Sequence, residues 1–199
     1  MSTEQQASTG RRARKKAATR AAIADAALAL FLEHGFEGVS IRQIADAADV
    51  SVATVFVHFP GKEALIFDED ADFRSDLQAA VTGRPAGQDL LSALETFASS
   101  TAVARHAGTP EFETFRALVD RTPELRDFGR RAWTQHAAAL ADTITGDAAR
   151  RGQPVDPAQA GILGRFVLES LDLASVSPDP GHTLAAAFTL LRQGWPGRR

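Results

Sequence analysis

The sequence predicts an all-α protein: an N-terminal three-helix head containing a helix-turn-helix, followed by a helical body, about nine helices in all. Three observations point there. Alanine-rich stretches run long between few turn dipeptides. Ile23, Ala27, Leu30 and Phe31 recur at i, i+4, i+7 and i+8, the spacing of one helical face. Two N-cap signals follow in quick succession, Ser40 with Gln43 three residues on, then Ser51. No period of about 20–50 residues repeats, which argues against a solenoid.

Residues 1–16 are polar and then basic, and are expected to be disordered in isolation. A first helix should begin near Lys16 to Thr19 and stop at Gly35. Ser40 opens a short helix that buries Ile41, Ile44 and Ala45 and ends near Ala48, with Asp49 in the turn. The next stretch, VSVATVFVHF, favours β-strand by residue preference. No neighbouring stretch offers it a partner strand. Ser51 can cap a helix, Val55 and Phe59 share one face, and Pro60-Gly61 ends it, so the sequence predicts a helix over 51–58. From Lys62 one helix is expected to run to about Val81. Further helices are expected over roughly 88–105, 111–120, 123–151, 156–176 and 180–194, with Pro123 and Pro157 in first turns.

The chain has 199 residues, enough for a small head on a larger body. Without cysteine it has no disulfide, thiolate zinc site or cysteine nucleophile. The basic N-terminus has no apolar run behind it, so no signal peptide is expected, and no segment has the roughly 18 apolar residues of a membrane helix. A cytoplasmic protein is expected. Residues 1–20 carry six cations against one acid, while residues 68–199 carry 14 arginines against 18 acids. A basic arm on an acidic protein suits a local polyanion contact.

Residues 19–65, TRAAIADAALALFLEHGFEGVSIRQIADAADVSVATVFVHFPGKEAL, resemble the TetR family of bacterial transcriptional regulators. The resemblance covers about a quarter of the chain. It implies a basic arm at 1–16, a helix-turn-helix DNA-binding domain at 17–60 and a ligand-binding and dimerisation domain at 61–199. Two positions depart from the family pattern. Asp49 stands where the family normally has Gly, and Phe56 where it often has a Tyr that touches a phosphate.

On this resemblance 51–58 is the recognition helix. Val52, Ala53, Thr54 and Val57 are then available toward DNA, with thymine methyl groups as the natural partners of the apolar ones. Arg42 or Gln43 would read or clamp nearby. Ser40, Ser51, Thr54, His58 and Lys62 are candidate backbone contacts, with Phe56 unable to supply its hydrogen bond. Arg11, Arg12, Arg14, Lys15 and Lys16 would follow the phosphates or enter the minor groove.

The resemblance also implies double-stranded DNA with an inverted-repeat operator as partner, and a homodimer. Residues 160–174 and 183–191 are apolar around much of their circumference, which marks the last two helices as the seam. Ala160, Gly161, Gly164 and Ala185 to Ala187 would permit close approach there. A small hydrophobic or aromatic effector is expected in the body, near Phe97, Phe112, Phe115, Leu118, Trp133, His136, Phe166 and Glu169. No cofactor, metal or catalytic residue is expected. DEDAD at 68–72 fails the calcium-loop pattern at its sixth and twelfth positions, and the histidines lack metal-ligand spacing. Two alternatives remain: a small helical enzyme with a buried His136/Glu169 acid–base pair, and a DNA-binding protein without an effector.

Overall fold

The computed structural model describes residues 3–68 and 70–194, with side chains from Arg14 onward except at Asp70 and Ala71. Ten α-helices follow one another: α1 (Thr3–His34), α2 (Ile41–Ala47), α3 (Val52–His58), α4 (Asp70–Thr82), α5 (Leu90–Ser100), α6 (Ala102–His106), α7 (Pro110–Arg121), α8 (Pro123–Arg150), α9 (Pro157–Ser175) and α10 (Pro180–Gln193). No strand occurs among the described residues. The all-α expectation holds.

The chain divides into two compact units: Met1–Asp68 with Phe115–Arg126, and Glu69–Thr114 with Asp127–Arg199. In the first unit, α1 buries Ile23, Ala27 and Phe31, while Leu30 stays half-buried. The Phe31 and Phe36 rings meet 5.1 Å apart. Ile44 and Ala45 of α2 and Val55 and Phe59 around α3 complete this core. Gly35, at φ 76°, ends α1 in the left-handed conformation that a side chain disfavours. The segment 115–126 adds the buried Leu118, Thr122 and Leu125.

The second unit packs α4, α5, α8, α9 and α10 around Leu77, Leu94, Phe97, Leu140, Val167, Leu168, Leu171, Leu184 and Phe188. Where α9 crosses α8, the backbones nearly touch. A Cβ added at Gly164 would lie 2.6 Å from the Ala137 carbonyl oxygen. Ala160 and Gly164 are therefore consumed inside the subunit and do not line a seam with a second copy, whereas Ala185 and Ala186 are exposed.

Three expected boundaries move. The first helix begins at Thr3 instead of near Lys16, over a stretch rich in Gln, Ala, Arg and Lys, all good helix formers. The helix expected over 62–81 is interrupted. A single 3-10 turn covers Glu63–Leu65, and α4 starts only at Asp70. The helix expected over 88–105 breaks at Thr101, which is extended at φ −68° and ψ 161°. Its hydroxyl donates to the Ala98 carbonyl at 2.8 Å and accepts from the Ala104 N–H, closing α5 and opening α6. A threonine hydroxyl competes with the helical ladder in this way.

Candidate nucleic-acid interface

The site is built on two short helices whose ends are fixed by local chemistry. At the start of α2, the Gln43 N–H donates to the Ser40 hydroxyl, and the Ser40 N–H donates to Gln43 Oε1 at 2.8 Å. Each group satisfies a donor that the first turn leaves open. At its end, the Asp49 N–H reaches the Asp46 carbonyl at 3.3 Å and the Val50 N–H reaches Ala45 at 2.9 Å. This pair of bonds is the Schellman closure, which needs a left-handed residue between them. Asp49 supplies it at φ 52°.

Two residues later Ser51 caps α3, accepting from the Thr54 N–H at 3.1 Å. Its hydroxyl also lies 2.8 Å from that of Thr54. The helix that overrides its β preference is thus held at its N-terminus by a cap and along one side by Val55 and Phe59, each 1% exposed. The other side is apolar and open. Val52 is 39% exposed, Phe56 54% and Val57 75%, with Ala53 exposed beside them. Three large apolar side chains held outward on a helix of seven residues form a surface built to meet something.

The other expected contact residues divide into two groups. Arg42, Ser40 and Ser51 are exposed, as are Arg14, Lys15 and Lys16 on α1. The side chains of Arg11 and Arg12 lie outside the described residues. Gln43 and Thr54 are engaged in the caps. Lys62 turns back onto the head: its ammonium donates to the Phe36 carbonyl and sits 4.2 Å from the Phe36 ring centroid. The buried Nδ1 of His58 has no hydrogen-bond partner among the described residues, so this nitrogen does not present itself to solvent. Arg20, one of the six cations of residues 1–20, also folds inward, onto the His58 carbonyl and Asp68.

Of the residues expected around an effector, three come together in the second unit. Phe73 is the hub, 5.4 Å from Phe97 edge-on, 5.4 Å from Trp133 in a stack and 5.2 Å from His136. The Trp133 indole N–H donates to the Leu168 carbonyl at 3.2 Å. Sequence reasoning places Phe73 with Leu77 among the apolar positions of its helix but leaves it out of the effector candidates. Phe112 and Phe166 are half-buried in the same unit, and Phe115 and Leu118 fall in the first. Glu169 is exposed and pairs with Arg165 at 3.0 Å, so no buried His136/Glu169 pair forms. An open groove between α4 and α5 is lined by Asp76, Ala80, Arg84, Thr96 and Phe97.

A compact head with two capped helices and an outward apolar α3 defines a helix-turn-helix protein. Residues 23–68 match the family model described as bacterial regulatory proteins, tetR family. Over 155 residues the chain is 33% identical to the HTH-type transcriptional regulator TcmR of Streptomyces glaucescens, spanning 74% of this chain and 66% of that one, just under two thirds of its length. Two solved structures share the fold. NalD, the secondary repressor of the MexAB-OprM multidrug efflux pump in Pseudomonas aeruginosa, superposes with a TM-score of 0.59 at 22% identity, covering 90% of this chain and 97% of that one. The transcriptional regulator FadR of Bacillus subtilis, in complex with stearoyl-CoA, gives 0.56 at 17% identity, covering 87% and 98%. The chain is thus similar to bacterial regulatory proteins of the TetR family, with residues 23–68 carrying the match to the family model.

Proposed function

We propose that the protein is a sequence-specific DNA-binding transcriptional regulator, a repressor that leaves its operator when a small hydrophobic or aromatic ligand binds. The observation that carries this reading is the exposed face of α3, held outward by a cap at one end and two buried anchors behind it. Residues 17–60 act as the DNA-binding domain and 61–199 as the ligand-binding and dimerisation domain. The protein works where the DNA is, in the cytoplasm.

On this reading α3 lies in the major groove. Val52, Ala53 and Val57 offer no hydrogen bond, so they select by contact with thymine methyl groups. Arg42 provides the charged contact at the edge of α2. Ser40, Ser51 and Thr54 hydroxyls, together with Arg14, Lys15 and Lys16, hold phosphates and fix the register. These contacts make binding steeply salt-dependent. Two heads related by a two-fold axis read an inverted repeat. The effector acts in the second unit, where Phe97, Trp133 and His136 gather on Phe73. FadR, of the same fold, carries stearoyl-CoA, which supports an apolar ligand class here. A ligand needs only about 1–3 kcal/mol of coupling to move the operator equilibrium.

Selection of bound duplexes from a random library tests the proposal. The expected result is an inverted repeat with thymines at the α3 contact positions. A consensus without thymine there overturns the methyl reading. Ligand-free protein that enriches no sequence overturns the regulator reading itself.

A further inference from the structure

We propose that Arg20 is a positioning residue for DNA recognition: it clasps the C-terminal end of α3 to Asp68 and so sets the pitch at which α3 presents its side chains. The inference rests on α3 being the DNA-reading helix. In the sequence Arg20 is the last of the six cations of residues 1–20, but its donors are spent inside the head. Nη1 donates to the His58 carbonyl at 2.6 Å, Nη2 to the Asp68 carbonyl at 3.1 Å, and Nε pairs with Asp68 Oδ1 at 2.7 Å. The guanidinium carbon lies 4.2 Å from the centroid of the Phe59 ring.

Each contact answers a local need. A helix of seven residues has little stability of its own, so its ends decide its orientation. Its last carbonyls, that of His58 among them, lack intrahelical donors. Arg20 supplies that donor to His58. Its planar fork reaches two carbonyls and a carboxylate at once, which a lysine ammonium on a flexible stem does not reproduce. It also pins the Phe59 anchor from the side. The reading helix is therefore fixed at three places: the Ser51 cap, the Val55/Phe59 core contact and the Arg20 clasp. Releasing the third lets α3 tilt. Phosphate binding tolerates a small tilt, because charge acts at a distance. Methyl contacts from Val52 and Val57 do not.

The test uses the full-length dimer, the operator duplex from the selection and a scrambled duplex of equal length, with binding read by fluorescence anisotropy across salt. Arg20→Lys is expected to lose about tenfold in operator affinity while scrambled-duplex affinity stays at the wild-type value. Arg20→Ala is expected to keep the wild-type salt slope. Asp68→Asn, which leaves the His58 contact in place, is expected to lose about threefold on the operator alone, and serves if the Arg20 variants do not fold. Unchanged operator affinity in Arg20→Lys overturns the proposal. So does an equal loss on both duplexes, which marks a merely structural role. A salt slope lower by about one phosphate in Arg20→Ala makes Arg20 a direct DNA contact and also overturns it. Wild-type protein that prefers no duplex sinks the regulator reading, whereas a preference that Arg20→Lys retains sinks only the clasp.

Discussion

Asp49 shows how much a single φ angle can carry. The closure of α2 demands a left-handed residue, and Asp adopts that conformation with some strain where Gly does so freely. Asp49→Gly is expected to raise the stability of the head by about 0.5–1 kcal/mol, the relief of strain less the greater entropy of unfolded glycine. Thermal melts followed by circular dichroism check it. Asp147 is a different case. Its side chain is 5% exposed on α8, 2.5 Å from Arg84 and 2.8 Å from Arg151. Burial raises its pKa, but the hydrogen bonds from Arg151 and Arg84 outweigh burial and hold it below the usual carboxylate value. A depressed carboxylate stabilises the fold above its unfolded pKa and loses that contribution as pH falls through the folded one. Asp147→Asn is expected to cost about 3 kcal/mol at neutral pH, by leaving Arg84 buried without its counter-charge. The gap between variant and wild type should close as the pH drops below about 4. A gap that does not narrow at all as the pH falls below about 4 would assign the effect to packing instead. The caps at Ser40 and Ser51 were legible because they join residues three apart. The Arg20 and Arg84 pairs span 38 and 63 residues, and no local pattern announces them.

Element by element, helix ends written in short-range chemistry were readable, and ends imposed from elsewhere were not. Gly35, Ser51, Pro123 and Pro157 fall where the sequence puts them. The break before α4 falls beside Asp68, which Arg20 holds from 48 residues away. The break at Thr101 depends on one hydroxyl choosing a backbone partner, which Ser99 or Ser100 could equally have offered. VSVATVFVHF reversed the local preference altogether, because burial of Val55 and Phe59 outweighs β propensity. Gly164 of α9 was assigned to the wrong neighbour: pattern reveals that a helix approaches something closely, but not whether that something is α8 or a second copy. Two substitutions separate the uses. Gly164→Ala forces a methyl group against the Ala137 carbonyl and is expected to destabilise the second unit by about 1–3 kcal/mol. Gly161→Ala meets nothing within 4 Å and is expected to stabilise α9 by up to about 1 kcal/mol through helix propensity. Denaturant titration of both variants reads the difference.

For the whole molecule the open question is what covers α9 and α10. Ile162 is 69% exposed, Leu173 60% and Val176 58%, and at eleven and fourteen residues from Ile162 the latter two return to nearly the same side of the helix. The Arg165–Glu169 pair runs along that side, and exposed Ala185 and Ala186 leave α10 flat. Large apolar residues aligned beside a flat, small-residue helix suit a two-fold interface, in which each patch meets its own copy. The same symmetry is what an inverted repeat requires of two heads. Replacing Ile162 and Leu173 together by Glu places like charges against each other across such a seam and desolvates them. The double variant is expected to elute as a monomer with its helical content intact, because neither side chain supports the core of its own subunit. Its operator affinity should fall by about a hundredfold, since each head then binds its half-site without the other's help. Light scattering and operator titration on the same preparation decide it. A variant that remains dimeric moves the seam elsewhere. A monomer that still binds the operator at full strength would show that one head suffices, and the inverted repeat would lose its physical reason.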